Sequence, residues 1–211
     1  MGFDKLLALL GDKPVLAHTL GAFERTASVG EIILVARAER VGEFAELVRQ
    51  NGFEKVRRVI PGGEQRHDSV RAGLAQTCGE ATFVAVHDAA RPLVTPEQIE
   101  RVYQLACAHG GAALAEPITN TLKRADQGGV VTGGVSRENL YGMQTPQIFG
   151  RDLLEKAYAA VAAENRAVTD EVSAVERLGA KVILLPNEEW NVKITYPRDL
   201  LLAQAVLARR S

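Results

Sequence analysis

Residues 82–94 read TFVAVHDAARPLV, an apolar run that passes abruptly into His87-Asp88-Ala89-Ala90-Arg91-Pro92. A short continuous apolar run of this kind suits a strand buried on both faces. Its polar end sets a carboxylate at a strand terminus, where open α/β sheets bind their ligands. Asp88 there suits Mg²⁺ held against phosphate oxygens. Ala89 and Ala90 leave room for a ligand to approach the backbone, and Arg91 suits pairing with phosphate or locking of the loop. The same residues also fit a turn capped by Asp88, with Arg91 as its ion-pair partner.

Working outward, EIILVA (31–36), KVRRVI (55–60), TFVAVH (82–87), GAALAEPI (111–118) and KVILLP (181–186) read as strands. Helical patterns fall between them at about 14–26, 39–51, 66–77, 95–109, 151–164, 170–179 and 197–209. An apolar helical pattern already begins by the sixth residue. Thr95-Pro96-Glu97-Gln98 marks a sharp helix start, with a Thr cap, Pro in the first turn and Gln98 as a capping-box partner. Strand–helix alternation implies βαβ units. The expected fold is therefore α/β, one domain over 1–211, with a mixed, mainly parallel sheet flanked by helices. The alternation breaks between about 117 and 149, where TLKRADQGGVVTGGV reads as two short strands around a Gly-rich turn. That is a projecting β-arm, of the kind that pairs with another subunit.

The 211 residues are 46% hydrophobic and 24% charged, which suits a folded globular chain. Twenty-five basic against 26 acidic residues give a net charge of −1, and the basic residues are dispersed. This argues against a nucleic-acid stripe and against a membrane-seeking patch. Cys78 and Cys107 lack any CxxC or CxxH company, so free thiols in a reducing cytoplasm are expected. MGFDKLLALLGDKP fails as a signal peptide, because Asp4 sits in its first segment and its apolar run is too short. No stretch approaches the roughly 18 apolar residues of a membrane span.

Neither GxGxxG nor GxxxxGK[ST] occurs, which argues against NAD-dependent and P-loop readings. A second polar cluster, PGGEQRHDSV (61–70), follows a strand. Gly62-Gly63 permits backbone close to a ligand base, and Glu64 or Ser69 suits hydrogen bonding to it. A plain βα turn fits equally well, and His67 reads as a solvated loop residue. Phosphate chemistry also needs cations. Lys5, Lys193 in NVKITYP (191–197) and Arg137 in GVSREN (134–139) supply them, and Thr145 lies in MQTPQIF (143–149). Each of these alone also fits a solvated charge or a turn residue.

Together, PGGxxRxxSV, HDAARP, TxKR, VxRENL, QTPQIF, TDE and NVKIT, in this order, resemble the 2-C-methyl-D-erythritol 4-phosphate cytidylyltransferases. The resemblance runs from about residue 3 to the C-terminus. It implies a Rossmann-like nucleotidyltransferase fold, a homodimer through the β-arm, and Mg²⁺. It also implies transfer of a cytidylyl group from CTP to 2-C-methyl-D-erythritol 4-phosphate, with release of pyrophosphate, in non-mevalonate isoprenoid precursor synthesis. Lys5 and Lys193 match the family's catalytic lysines. Gly63, Glu64 and Ser69 match the cytosine-reading turn. Asp88 matches the metal-proximal aspartate, with Ala89 and Arg91 beside it. Thr121, Arg137, Thr145 and Thr169 match positions that grip the acceptor, Arg137 reaching the partner subunit's site. The acceptor oxygen is already anionic at neutral pH, so positioning and charge neutralisation suffice. Ribitol 5-phosphate cytidylyltransferases share much of the pattern, so that acceptor stays open, as does a nucleotide-binding remnant with little activity.

Two departures from the family stand out. Asn120 precedes Thr121 where the family often has Asp. Members also open with a strand and a Gly-rich loop of the type P-A-A-G-x-G-x-R-M-G, of which Met1-Gly2 resembles the end. A shortened chain, from a start assigned too late, is therefore expected. Without the strand, two neighbours inside the sheet are left with open edges. Without the loop, an anion cradle is lost, typically on the order of 10²–10³ in rate.

Overall fold

A computed structural model of the chain describes residues 4–164 and 168–210. Two short strands, β1 (Leu9–Leu10) and β2 (Lys13–Pro14), precede α1 (Val15–Arg25), β3 (Ile32–Ala36), α2 (Val41–Gln50) and β4 (Val56–Pro61). Then come α3 (Arg66–Leu74), β5 (Phe83–Val86), α4 (Pro96–His109) and β6 (Gly111–Pro117). The chain continues through β7 (Leu122–Ala125), β8 (Val131–Val135), β9 (Tyr141–Gly150), α5 (Arg151–Glu164), α6 (Glu171–Glu176), β10 (Ile183–Pro186) and α7 (Pro197–Arg210).

Most expected elements are in place, and α4 shows why. Thr95 Oγ1 accepts from the Gln98 amide at 3.2 Å while Gln98 Oε1 accepts from the Thr95 amide at 3.1 Å, closing the capping box. The apolar run from the sixth residue is different: it is a turn leading into β1, not helix. Gly11, at a φ of 66°, reverses the chain so that Leu9 pairs with Pro14, and five apolar residues before such a reversal are too few to sustain a helix. Helices α3 and α6 also end early, at Leu74 and Glu176, and the residues after each close as turns.

The largest correction concerns 117–149. Only β7 and β8 form the arm, pairing antiparallel. Residues 141–150 instead form a ten-residue strand inside the main sheet, whose order is β10-β6-β9-β5. This strand, β9, runs antiparallel to both neighbours, while β10 lies parallel to β6. Pro146 has no N–H for a ladder and argued against a central strand. The sheet accommodates it by a register shift. Ala113 faces Gln147 and Ala115 faces Met143, so 144–146 bulge past Leu114. On the other side the ladder runs only from Gln147, opposite Val86.

Alternation along β9 sends Phe149 into the layer built by α5 and α6, and Ile148 into the layer of α4. A separate parallel pair, β3 with β4, packs beneath α1 and α2. Among the described residues no strand lies between β3 and β5. A cavity of about 800 Å³ runs there, lined by 32–35 and 83–86 and flanked by Leu16, Leu20 and Phe23 of α1. Strands β3 and β5 are each at the edge of their sheet among the described residues. Met1–Phe3, on which the expectation about the end of a glycine-rich loop falls, lie outside the described residues.

Candidate active site

The site forms where β5 ends. Asp88 follows that strand, and its amide donates to Thr145 Oγ1 of β9 at 3.0 Å. The carboxylate is largely buried and meets three cations. Lys193 Nζ is 3.0 Å and Arg91 Nε 3.3 Å from Oδ2, and Arg66 Nη2 is 4.0 Å from Oδ1. Burial alone would raise the pKa of Asp88, but the Lys193 hydrogen bond and charge, followed by Arg91 and Arg66, hold it below the usual carboxylate value. Asp88 is therefore an anion at neutral pH and no store of protons.

His87 beside it is equally unsuited to proton transfer. Burial pushes its pKa down to about 3, against weaker opposing effects of Asp88. Its ring lies 4.8 Å from that of Phe23, and its Nδ1 shares a 3.0 Å hydrogen bond with Thr145 Oγ1. Thr145 itself is buried, 3% exposed, with its hydroxyl engaged by Asp88 and His87.

Lys193 is brought in by a network of amides that sequence reading missed. Asn191, 2% exposed, donates to Gln144 Oε1 at 3.2 Å and to the Thr145 carbonyl at 3.0 Å. Its own carbonyl accepts from Arg91 Nη1 at 2.7 Å. Gln98 donates to Asn187 Oδ1 and Asn187 to Gln144 Oε1, both at 2.9 Å. On the other side of Lys193, the amide of fully buried Ile194 donates to the Ala90 carbonyl at 2.8 Å. The lysine is half exposed between two buried anchors, so its charge is presented outward from a fixed base.

The Gly62–Ser69 turn is shaped by close approach. A Cβ on Gly62 would fall 2.4 Å from Ser69 Oγ, and one on Gly63 would fall 2.3 Å from Asp68 Cβ. Only glycines let the turn lie on the start of α3. The Gly63 amide donates to Ser69 Oγ at 3.2 Å, and Glu64 is exposed. Ala89 contributes its carbonyl to Thr19 Oγ1 at 2.8 Å, which fixes α1 against the site.

The remaining candidates lie apart from the carboxylate. Lys5 is half-buried in the turn before β1 and is not among the cations within 4.0 Å of Asp88. Thr121 and Arg137 are exposed on the arm, where Arg137 Nη1 donates to the Thr119 carbonyl. Thr169 is exposed before α6, its Oγ1 3.1 Å from Ser173 Oγ. Sequence reading also missed the partners of Arg66. Its guanidinium grips the buried carboxylate of Glu171 at 2.5 and 2.8 Å, and Tyr158 OH donates to that carboxylate at 2.8 Å. The signals were Arg66 soon after the Gly62-Gly63 turn and an acidic residue followed by Val172, Ala174 and Val175, but neither says which charge meets which.

Among the described residues no group of three or more His, Cys, Asp or Glu side chains is placed to hold a metal ion. A metal held by one carboxylate together with substrate phosphates remains compatible with Asp88, as is usual for Mg²⁺. Nor is any described helix long and apolar enough to cross a membrane.

Three cations around a carboxylate at the carboxyl end of a mixed α/β sheet suit neutralisation of phosphate charge, as an enzyme of the nucleotidyltransferase class requires. Comparison with known proteins sharpens this. Residues 1–209 match the family IspD, 2-C-methyl-D-erythritol 4-phosphate cytidylyltransferase. A relative of that name from Dehalococcoides mccartyi (strain CBDB1) is 39% identical over 208 residues, covering 99% of this chain and 90% of its own length. A crystal structure of 4-diphosphocytidyl-2C-methyl-D-erythritol synthase superposes with a TM-score of 0.83 at 38% identity, covering 96% of this chain and 94% of that one. The synthase of that name from Anaerococcus prevotii DSM 20548 gives 0.88 at 27% identity, covering 97% and 93%. The chain belongs to the 2-C-methyl-D-erythritol 4-phosphate cytidylyltransferase family.

Proposed function

We propose that the chain transfers the cytidylyl group of CTP to 2-C-methyl-D-erythritol 4-phosphate, in the synthesis of isoprenoid precursors. A phosphate oxygen of the acceptor attacks the α-phosphorus of CTP. The bond from that phosphorus to the bridging α–β oxygen breaks, and pyrophosphate leaves. The observation that carries this reading is the Asp88 carboxylate ringed by Lys193, Arg91 and Arg66. A surplus of fixed positive charge stabilises a transferring phosphoryl group without reorganising during the step.

In this reading Lys193 and Lys5 neutralise the triphosphate, while Gly63, Glu64 and Ser69 read the cytosine. Asp88 and Ala89 line the nucleotide phosphates. Arg91, Thr145 and Thr169 serve the acceptor. Thr121 and Arg137 serve it from the arm, Arg137 in the site of a partner subunit within a homodimer. Asp88 is the residue that would hold Mg²⁺, which supplies Lewis-acid neutralisation of phosphate charge when bound. A cytoplasmic enzyme without nucleic-acid or membrane partners completes the proposal, supported by dispersed charge and unpaired thiols.

The test is pyrophosphate release from CTP and Mg²⁺ with each polyol phosphate in turn. Release with methylerythritol phosphate and not with ribitol 5-phosphate supports the proposal. The reverse preference overturns the acceptor assignment.

A further inference from the structure

We infer that the Arg66–Glu171 ion pair is a positioning element that ties the nucleotide turn to the acceptor loop, so that filling one subsite prepares the other. This rests on the function proposed above. Glu171 is 0% exposed at the first position of α6. A carboxylate in such a place is costly unless fully compensated, and both its oxygens are engaged by Arg66, with Tyr158 OH on one of them.

The direction of the tie follows from what holds each partner. Glu171 does not depend on Arg66 for its position. Gln147, 1% exposed on the central strand β9, accepts from the amides of Glu171 and Val172 at 3.1 Å each. The same side chain donates to Asp170 Oδ2 at 3.0 Å. Glu171 is thus a post fixed to the sheet. Arg66 stands at the start of α3, directly after the exposed residues 63–65, and its side chain is 37% exposed. The post therefore holds the turn, and the turn does not hold the post. Arg66 also reaches toward Asp88 at 4.0 Å. Arg66, the residue that follows the turn, thereby reaches with one guanidinium both the carboxylate at the end of β5 and the segment that follows Thr169. A lysine, as a single point charge, does not reproduce a two-pronged grip.

Reciprocal tightening of two ligands is the expected consequence. Calorimetry of a CTP analogue with a methylene bridge between its α and β phosphates, with Mg²⁺ and in the absence and presence of saturating methylerythritol phosphate, measures it in the full chain without turnover. Wild type should show tightening of roughly fivefold or more. Glu171→Gln, which keeps the shape, and Arg66→Lys should bring that factor close to one. Tyr158→Phe removes a bond to the same carboxylate without touching the turn, so it should lower thermal stability and leave the factor intact. Amide hydrogen exchange without ligand should be faster at 62–66 in the first two variants and unchanged at 170–172. An unchanged factor in both variants, or a factor of one in a wild type that binds both ligands, overturns the inference. So does a Tyr158→Phe variant that loses the factor equally, since the pair then acts through stability alone. A wild type that does not bind CTP overturns the function proposal instead. The exchange rates still judge the tie in that case, because unchanged exchange at 62–66 in both variants refutes it without any ligand.

Discussion

Lys193 Nζ lies 3.0 Å from Asp88 Oδ2, joining a loop near the C-terminus to the end of a strand more than a hundred residues earlier. The pair places the cation proposed for the phosphates against the carboxylate proposed for the metal, so the two are mutually positioned before any ligand enters.

Replacing Lys193 by Met should therefore lower kcat for pyrophosphate release by roughly 10²–10³, as loss of a preorganised charge donor does. Lys193→Arg should restore little, because a planar fork does not reproduce a compact ammonium. Steady-state kinetics with both substrates varied checks this, and a kcat within a factor of two of wild type for the Met variant would count against the assignment.

Asn191→Ala should impair both folding and catalysis. It leaves the Thr145 carbonyl without its amide donor and loosens the loop that carries Lys193. Stability should fall by about 1–3 kcal/mol, the typical cost of an unsatisfied buried polar group. Denaturant unfolding measures the first effect. A drop in kcat under conditions where the variant is fully folded measures the second.

His87 makes stability depend on pH. Its folded pKa of about 3 lies below its ordinary value of 6.5, so the unfolded chain binds more protons between the two. The stability that comes from keeping the ring neutral is complete above pH 6.5 and is lost progressively as pH falls toward 3. The loss amounts to a few kcal/mol on the order-of-magnitude scale of 1.4 kcal/mol per unit. Chemical unfolding from pH 7.5 to 5 should show this slope, and His87→Phe should flatten it. Carboxylates add their own slope only below that window. An equal slope in the variant would assign the effect elsewhere.

Thr95→Ala should cost about 1 kcal/mol through loss of the capping box. The Thr95 amide keeps its bond to Gln98 Oε1 and Gln98 its bond to Asn187, so kcat should be unchanged. Thermal unfolding alongside kinetics separates this purely structural effect from those above.

Local chemistry made much of this legible in advance. The Thr95-Pro96 helix start, the apolar runs of β3 and β5, and the glycine pair before α3 act through interactions within a few residues. Strand β9 did not show, because Pro146 and two glutamines signal irregularity when read locally. Its place depends on a bulge against Leu114 and on buried partners far away in sequence. The arm consequently looked longer than it is.

What the sequence determined by itself is the family, the α/β class and the polar run from His87 to Arg91 at a strand end, since ordered short motifs carry that information without coordinates. Only the tertiary structure decided which charges meet. It paired Lys193, Arg91 and Arg66 with Asp88, set Glu171 as a buried post for Arg66, and turned Thr145 inward to the Asp88 amide. The reason is physical. A buried charge or amide is tolerable only with a partner, and that partner is supplied by whichever segment the fold brings across the sheet.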